Sequence, residues 1–164
     1  MAALNPGMHA PDFTLPAVQG QKVSLNEALE KGPVVLALFK VTCPVCQYAL
    51  PFLERLYRAN PSSNLTVLGV SQDNLRDTQE FLRQYNVTFR VALDDQAYAV
   101  SNAYRLTNVP TIFYVRPNGE IEISCVGWSK ADMEAINKNL AEYRKQTPAP
   151  LWRKGEDIQD FRAG

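Results

Sequence analysis

The chain has no excess of charge of either sign, no long apolar run, and few cysteines or histidines. Seventeen lysines and arginines balance seventeen aspartates and glutamates, giving a formal net charge of zero and a pI near 6.6. Nucleic-acid binding rests on a basic patch, and a cluster as short as Arg153-Lys154 does not make one. No apolar stretch approaches the roughly 20 residues that a membrane-spanning helix needs. The opening Met1-Ala2-Ala3-Leu4-Asn5-Pro6-Gly7 has neither a basic n-region nor an apolar core, so a cytoplasmic protein without a membrane partner is expected. Three cysteines are too few, and odd in number, for a secreted disulfide scaffold. A zinc site would need about four ligands, and beyond Cys43 and Cys46 only Cys125 and His9 remain, neither at metal-site spacing. Gln47, not histidine, follows Cys46, which argues against covalent haem. No metal and no cofactor are expected.

What is present is a C-x-x-C, Cys43-Pro44-Val45-Cys46, set between an apolar run (Val34 to Val41) and an amphipathic pattern reaching about Tyr57. A cysteine at a strand-to-helix junction meets unpaired backbone N–H groups and the positive end of the helix dipole, both of which favour a thiolate. The second sulfur lies one turn deeper on the same face, near enough to close a small ring. Pro44 in the first turn costs no hydrogen bond, and Val45 brings no charge. Such a pair can attack a disulfide, hold a mixed disulfide briefly and release it by internal attack.

Phe13 to Leu15 and Lys22 to Leu25 flank Gln19-Gly20 as a short hairpin or an extended lead-in, and Ser24-Leu25-Asn26-Glu27 has capping-box spacing for a helix ending near Gly32-Pro33. Val34 to Val41 reads as a strand covered on both faces. Val45, Tyr48, Ala49, Phe52, Leu53, Leu56 and Tyr57 fall at helical spacing, with Pro51 among them expected to kink the helix. Leu65 to Val70 predicts a strand. Asp73 or Asn74 predicts a cap for a helix bearing Phe81, Leu82 and Tyr85. Phe89 to Leu93 predicts a strand, and Gln96 to Tyr104 a helix after Asp94-Asp95. Ile112 to Val115, the Pro117-Asn118-Gly119 turn and Glu120 to Val126 form a hairpin signal. Ser129 opens the last helix, with Met133, Ile136, Leu140 and Tyr143 on one face. Strands alternating with helices before a terminal hairpin and helix predict a three-layer α/β/α domain with a mixed central sheet. A length of 164 residues at 46% hydrophobic and 21% charged suits one such core. Thr147-Pro148-Ala149-Pro150 divides a domain over residues 1–147 from a tail over 148–164, either disordered or docked through Trp152, Ile158 and Phe161.

With these elements in place the chain resembles the thioredoxin superfamily, in its redoxin branch of peroxiredoxin-like and membrane-tethered-thioredoxin-like domains. The marks are Gly7-x-x-Ala10-Pro11-Asp12-Phe13-x-Leu15, Gly20-x-x-Val23-Ser24-Leu25, the C-x-x-C, Pro51, Val109-Pro110-Thr111, Asn118-Gly119 and Gly127, in that order. The resemblance covers roughly Gly7 to Tyr143. It implies a thioredoxin-like fold with an N-terminal extension and an inserted strand-helix unit over about Asp73 to Tyr104. It further implies a cis Val109–Pro110 bond facing the cysteines, with the Val109 backbone open to an extended substrate segment. Thr42, Pro44, Val45, Val109 and Pro110 are accordingly the candidate substrate-binding residues, and Cys43 and Cys46 the catalytic pair. The chain departs from thioredoxins proper at Ala37, where they carry a buried acid, and at Thr42, where they carry tryptophan. Lys40 is the nearest ionisable residue, and strand alternation turns it away from Ala37 and Phe39.

The expected activity is thiol-disulfide exchange with a disulfide-containing protein, Cys43 attacking and Cys46 resolving, with a thiol or a reductase as electron donor. A thiol peroxidase is the alternative. The peroxidatic pattern requires Pro and Thr seven and three residues before the reactive cysteine. Leu36 and Lys40 stand there before Cys43, and Phe39 and Cys43 before Cys46. A redoxin-fold binding or redox-sensing module without turnover is a third reading, kept open by Ala37. Cys125 reads as a buried, inert thiol, His9 as a surface residue, Glu54 and Arg55 as solvated, and Phe39 and Phe52 as core.

Overall fold

The computed structural model describes residues 2–61 and 67–164. The first hairpin joins β1 (Thr14–Pro16) to β2 (Lys22–Ser24) in antiparallel register. Ser24 caps α1 (Leu25–Lys31), its hydroxyl accepting the Glu27 amide at 3.4 Å. The apolar run becomes β3 (Val34–Phe39), buried at every residue. α2 (Pro44–Ala59) continues through Pro51, although proline leaves the Gln47 carbonyl without its helical donor. Next come β4 (Val67–Ser71), α3 (Leu75–Gln84) and β5 (Arg90–Leu93); Leu65 and Thr66 of the expected strand lie outside the described residues. Of the two candidate caps for α3, Asn74 serves, accepting the Asp77 amide at 2.8 Å.

α4 (Ala99–Ala103) is shorter than the helix expected from Gln96 to Tyr104. Tyr98 takes a left-handed conformation (φ 52°), which stops helical geometry at its own position. Asp94 reaches forward instead, accepting the Val100 and Ser101 amides at 3.1 and 2.8 Å. β6 (Thr111–Val115), β7 (Ile121–Val126), β8 (Trp128–Ser129) and α5 (Lys130–Arg144) complete the domain, followed by β9 (Phe161–Arg162) in the tail.

The central sheet runs β5-β4-β3-β6-β7, parallel through β5, β4 and β3 and antiparallel across β3–β6 and β6–β7. It is the mixed sheet the sequence predicts. Alternation along β3 divides the interior: Val35, Ala37 and Phe39 face α2, α3 and α5, while Val34, Leu36 and Leu38 face α1 and α4. Cys125 lies buried, as its sequence reading expects, and a bulge at Tyr114/Val115 shifts the register of β7. Ile121 therefore joins one core while Ile123 and Cys125 join the other.

Three surface expectations are overturned. Glu54 is only 5% exposed, because its carboxylate collects the Thr88 amide and hydroxyl (2.8 and 2.6 Å), the Phe89 amide (3.3 Å) and Arg58 Nε (2.6 Å). It stitches α2 to the lead-in of β5, supplying donors' partners that water would otherwise supply. Arg55 is not simply solvated either: it forms a bidentate pair with Glu156 (2.7 and 2.6 Å) and lies over Phe52. Tyr143 is 52% exposed, outside the apolar face of α5 that buries Met133, Ile136 and Leu140.

The tail is docked. Leu151 and Ile158 are buried, and Trp152 meets Phe52 and Trp128 at ring distances of 5.5 and 6.2 Å. Phe161 is the exception at 63% exposure. The Arg55 guanidinium holds the Glu156 carboxyl down at about 2, below the ordinary carboxylate range. A carboxylate depressed by folding adds anchoring that is complete above its unfolded value and fades as pH falls through its folded value. The tail should therefore loosen as pH falls from about 4 to 2, read by the fluorescence of Trp152. Glu156→Gln should lack that transition; an unchanged acid transition in the variant would assign it to other carboxylates.

Candidate functional site

The two sulfurs sit where β3 ends and α2 begins, and the chain makes the site from its own backbone. Cys43 is the N-cap residue of α2, in extended conformation, and Pro44 occupies the first turn. The Cys43 sulfur accepts the Cys46 amide at 3.2 Å, so an orphan helix N–H points at the atom on which negative charge would form. Its S–H donates to the Val109 carbonyl at 3.3 Å. Both cysteines are thiols here.

The pair is asymmetric. Cys43 is partly exposed, whereas Cys46 has no exposed surface and packs among Ala37, Phe39 and the apolar face of α2. Burial pushes the Cys46 thiol well above its ordinary range. The neighbouring Cys43 sulfur and the field of Asp73 push the same way, and the Lys40 backbone partly offsets them. Cys46 therefore keeps its proton at neutral pH.

The loop carrying Cys43 is pinned from three sides. The Cys43 amide donates to the Lys40 carbonyl at 3.2 Å, Gln47 Nε2 to the Val41 carbonyl at 3.0 Å, and the Val41 amide to Asp73 Oδ2 at 2.7 Å. Asp73, one of two candidate helix caps in the sequence, thus belongs to the active-site loop. Only its position just past a strand end hints at that. Lys40 is exposed, beside Gln72, Asp73 and Tyr98 along a shallow polar cleft of about 330 Å³.

Facing Cys43 is the loop before β6. The Val109–Pro110 bond is cis, Thr111 Oγ1 donates to the Asn108 carbonyl at 2.8 Å, and the Gly127 amide donates to the Pro110 carbonyl at 2.8 Å. The structure therefore brings Cys43, Cys46, Val109 and Pro110 together. Thr42 and Pro44 are exposed beside them, while Val45 turns inward and is buried in the core. Gly127 borders the site through the Pro110 carbonyl, and Tyr48 and Trp128, which sequence spacing does not connect to it, pack edge to face at 5.1 Å in the core cluster that holds Cys46. Cys125 is held apart: it is buried, donates to the Gly127 carbonyl at 3.5 Å, and is pushed up to about 12 by burial, with Asp132 adding to the shift. Among the described residues no group of three or more His, Cys, Asp or Glu is placed to hold a metal ion.

Comparison with known proteins gives consistent results. The AhpC/TSA family model matches residues 6–124. The thiol-disulfide oxidoreductase ResA of Geobacillus kaustophilus is 29% identical over 130 residues, covering 78% of this chain and 74% of that protein. The sporulation thiol-disulfide oxidoreductase A of Bacillus subtilis is 26% identical, covering 70% of each. Among solved structures, the thioredoxin domain of a thiol-disulfide oxidoreductase from Bacteroides vulgatus superposes with a TM-score of 0.74. It is 24% identical and covers 84% of this chain and 99% of that one. The fold is thioredoxin-like.

Proposed function

The chain belongs to the AhpC/TSA family, and we propose that within it this protein is a thiol-disulfide oxidoreductase, exchanging electrons with protein disulfides through Cys43 and Cys46. The observation that carries the reading is the asymmetry of the pair: one sulfur partly exposed under a helix N–H, the other sealed in the core. The Cys43 thiolate attacks one sulfur of the substrate disulfide. A Cys43–substrate bond forms as the substrate S–S bond breaks, and the displaced thiolate takes up a proton. Cys46, once deprotonated, attacks the Cys43 sulfur, closing the Cys43–Cys46 disulfide and freeing the second substrate thiol. Two electrons pass from the protein to the substrate, and an external thiol or reductase restores them. Thr42, Pro44, Val109 and Pro110 form the rim that a substrate meets; Val45 supports that rim from the core side.

Family membership also raises the peroxidase reading, and the geometry speaks against it. Of the places that would hold a peroxide beside Cys43 or Cys46, Leu36 and Phe39 are fully buried in β3 and point into the two cores, and Lys40 and Cys43 stand where the pattern requires a threonine hydroxyl. With dithiothreitol as reductant, the protein should accelerate reduction of the insulin disulfides and should not turn over hydrogen peroxide. Stoichiometric oxidation of Cys43 by peroxide would not count, since exposed thiolates generally react. Sustained peroxide consumption without disulfide reduction would reverse the assignment. The reducing direction goes with a cytoplasmic location. A dithiol potential near about −270 mV supports that direction, and one near about −120 mV would make the protein an oxidant.

A further inference from the structure

The tail does more than dock on the domain: its last residues run along the loop that faces Cys43. β9 pairs with β8 in antiparallel register, Trp128 opposite Arg162 and Ser129 opposite Phe161. The Lys130 amide donates to the Asp160 carbonyl at 3.0 Å, and Trp128 Nε1 to the Gln159 carbonyl at 2.7 Å. The Gln159 amide donates to the Tyr48 hydroxyl at 3.1 Å, and the Arg162 guanidinium lies 5.0 Å over the Tyr48 ring. Gly127, at φ +81°, backs onto the Arg162 carbonyl, where any side chain would collide. Gly164 lies against the Val109 carbonyl, the group that also accepts the Cys43 thiol, and Asn108 Nδ2 donates to the Gly164 carbonyl at 3.1 Å.

An extended segment of the chain itself thus lies along Gly127 and Val109, over the backbone that the resemblance assigns to an extended substrate. The contacts holding it are hydrogen bonds, one cation–π contact and a β9 of two residues, with no side chain of residues 159–164 buried and Phe161 63% exposed. The contacts holding the preceding stretch are deep, with Leu151 and Ile158 buried and Glu156 clamped by Arg55. Residues 159–164 can therefore lift while 151–158 stay in place. Cys43 keeps part of its surface throughout, so a small disulfide reaches it with the strap seated. An extended polypeptide needs the edge that the strap covers.

The geometry points to residues 159–164 as a displaceable strap that sets substrate choice, admitting small disulfides freely and extended polypeptide disulfides only when it lifts. This rests on Cys43 being the attacking sulfur. The test compares the intact chain, a chain lacking residues 159–164, and Arg162→Pro, in which proline opposes pairing with β8. Two probes share one leaving group: dithiobis(nitrobenzoate), and an unstructured peptide whose single cysteine is disulfide-linked to thionitrobenzoate. Attack by Cys43 forms its bond to the peptide sulfur, breaks the peptide–thionitrobenzoate bond and releases coloured thionitrobenzoate. If the strap is lifted about a tenth of the time, removing it raises the peptide rate about tenfold, while the small-reagent rate stays within about twofold. Equal changes with both probes, or none with the peptide, in correctly folded variants would overturn the strap. Failure of the oxidoreductase reading shows separately: no second equivalent of thionitrobenzoate would leave the small-reagent adduct through attack by Cys46.

Discussion

A Cys46→Ser variant will accumulate as a covalent adduct with its substrate, seen as a band on non-reducing gels that dithiothreitol removes. The expectation follows from the division of labour between the sulfurs. Cys43 retains its partial exposure and its place at the helix N-terminus, so the first bond exchange proceeds. The resolving attack then has no sulfur to make it. Cys125 cannot substitute: it is buried on β7, and burial pushes its thiol up to about 12. Cys43→Ser should lose exchange by more than about a thousandfold, since a hydroxyl is a far weaker nucleophile than a thiolate. Serine in the sealed Cys46 position buries a hydroxyl, at a cost of roughly 1–3 kcal/mol if unpartnered. Cys46→Ala, which buries none, should trap the same adduct and separates the chemistry from any loss of stability. Turnover by either Cys46 variant at the wild-type rate would remove Cys46 from the mechanism.

How far the sequence reaches depends on whether a feature is local. The caps at Ser24 and Ser129, the buried strand from Val34 and the C-x-x-C at a helix start are each specified within a few neighbouring residues, and all are found in place. Glu54 reads as solvated from its place on the polar face of α2. Its partners, Thr88 and Phe89, lie more than thirty residues away, and no spacing rule connects them. Asp73 shows the same limit, since its bond to the Val41 amide crosses from one strand end to the next. The tail is the extreme case. Its apolar groups are sparse in sequence, and only the aromatic cluster assembled by α2 and β8 gives them something to pack against. The protein thus declares its chemistry locally and hides its access control in long-range packing.

Trp128 joins that packing to the active site, and replacing it with alanine should be the most damaging single change away from the cysteines. The indole is fully buried, with Tyr48, Phe52 and Trp152 at ring distances of 5.1, 5.0 and 6.2 Å. Truncating a buried tryptophan costs about 3–5 kcal/mol, which for a chain of this size lowers the melting temperature by about 10 °C. The loss reaches further than the core. Trp152 forfeits a neighbour, the Gln159 carbonyl forfeits its indole donor, and Tyr48, two residues past Cys46, forfeits the edge contact that fixes its ring. The tail should detach in the folded variant, exposing residues 151–164 to proteolysis at temperatures where the rest of the chain resists it. Trp128→Phe keeps part of the aromatic contact and removes the hydrogen bond to Gln159 with some buried volume, so it should loosen residues 159–164 at a smaller cost in global stability than Trp128→Ala. Melting curves paired with limited proteolysis distinguish the two. If Trp128→Ala melts as the intact protein does and keeps its tail protected, the aromatic cluster is not what binds tail to domain.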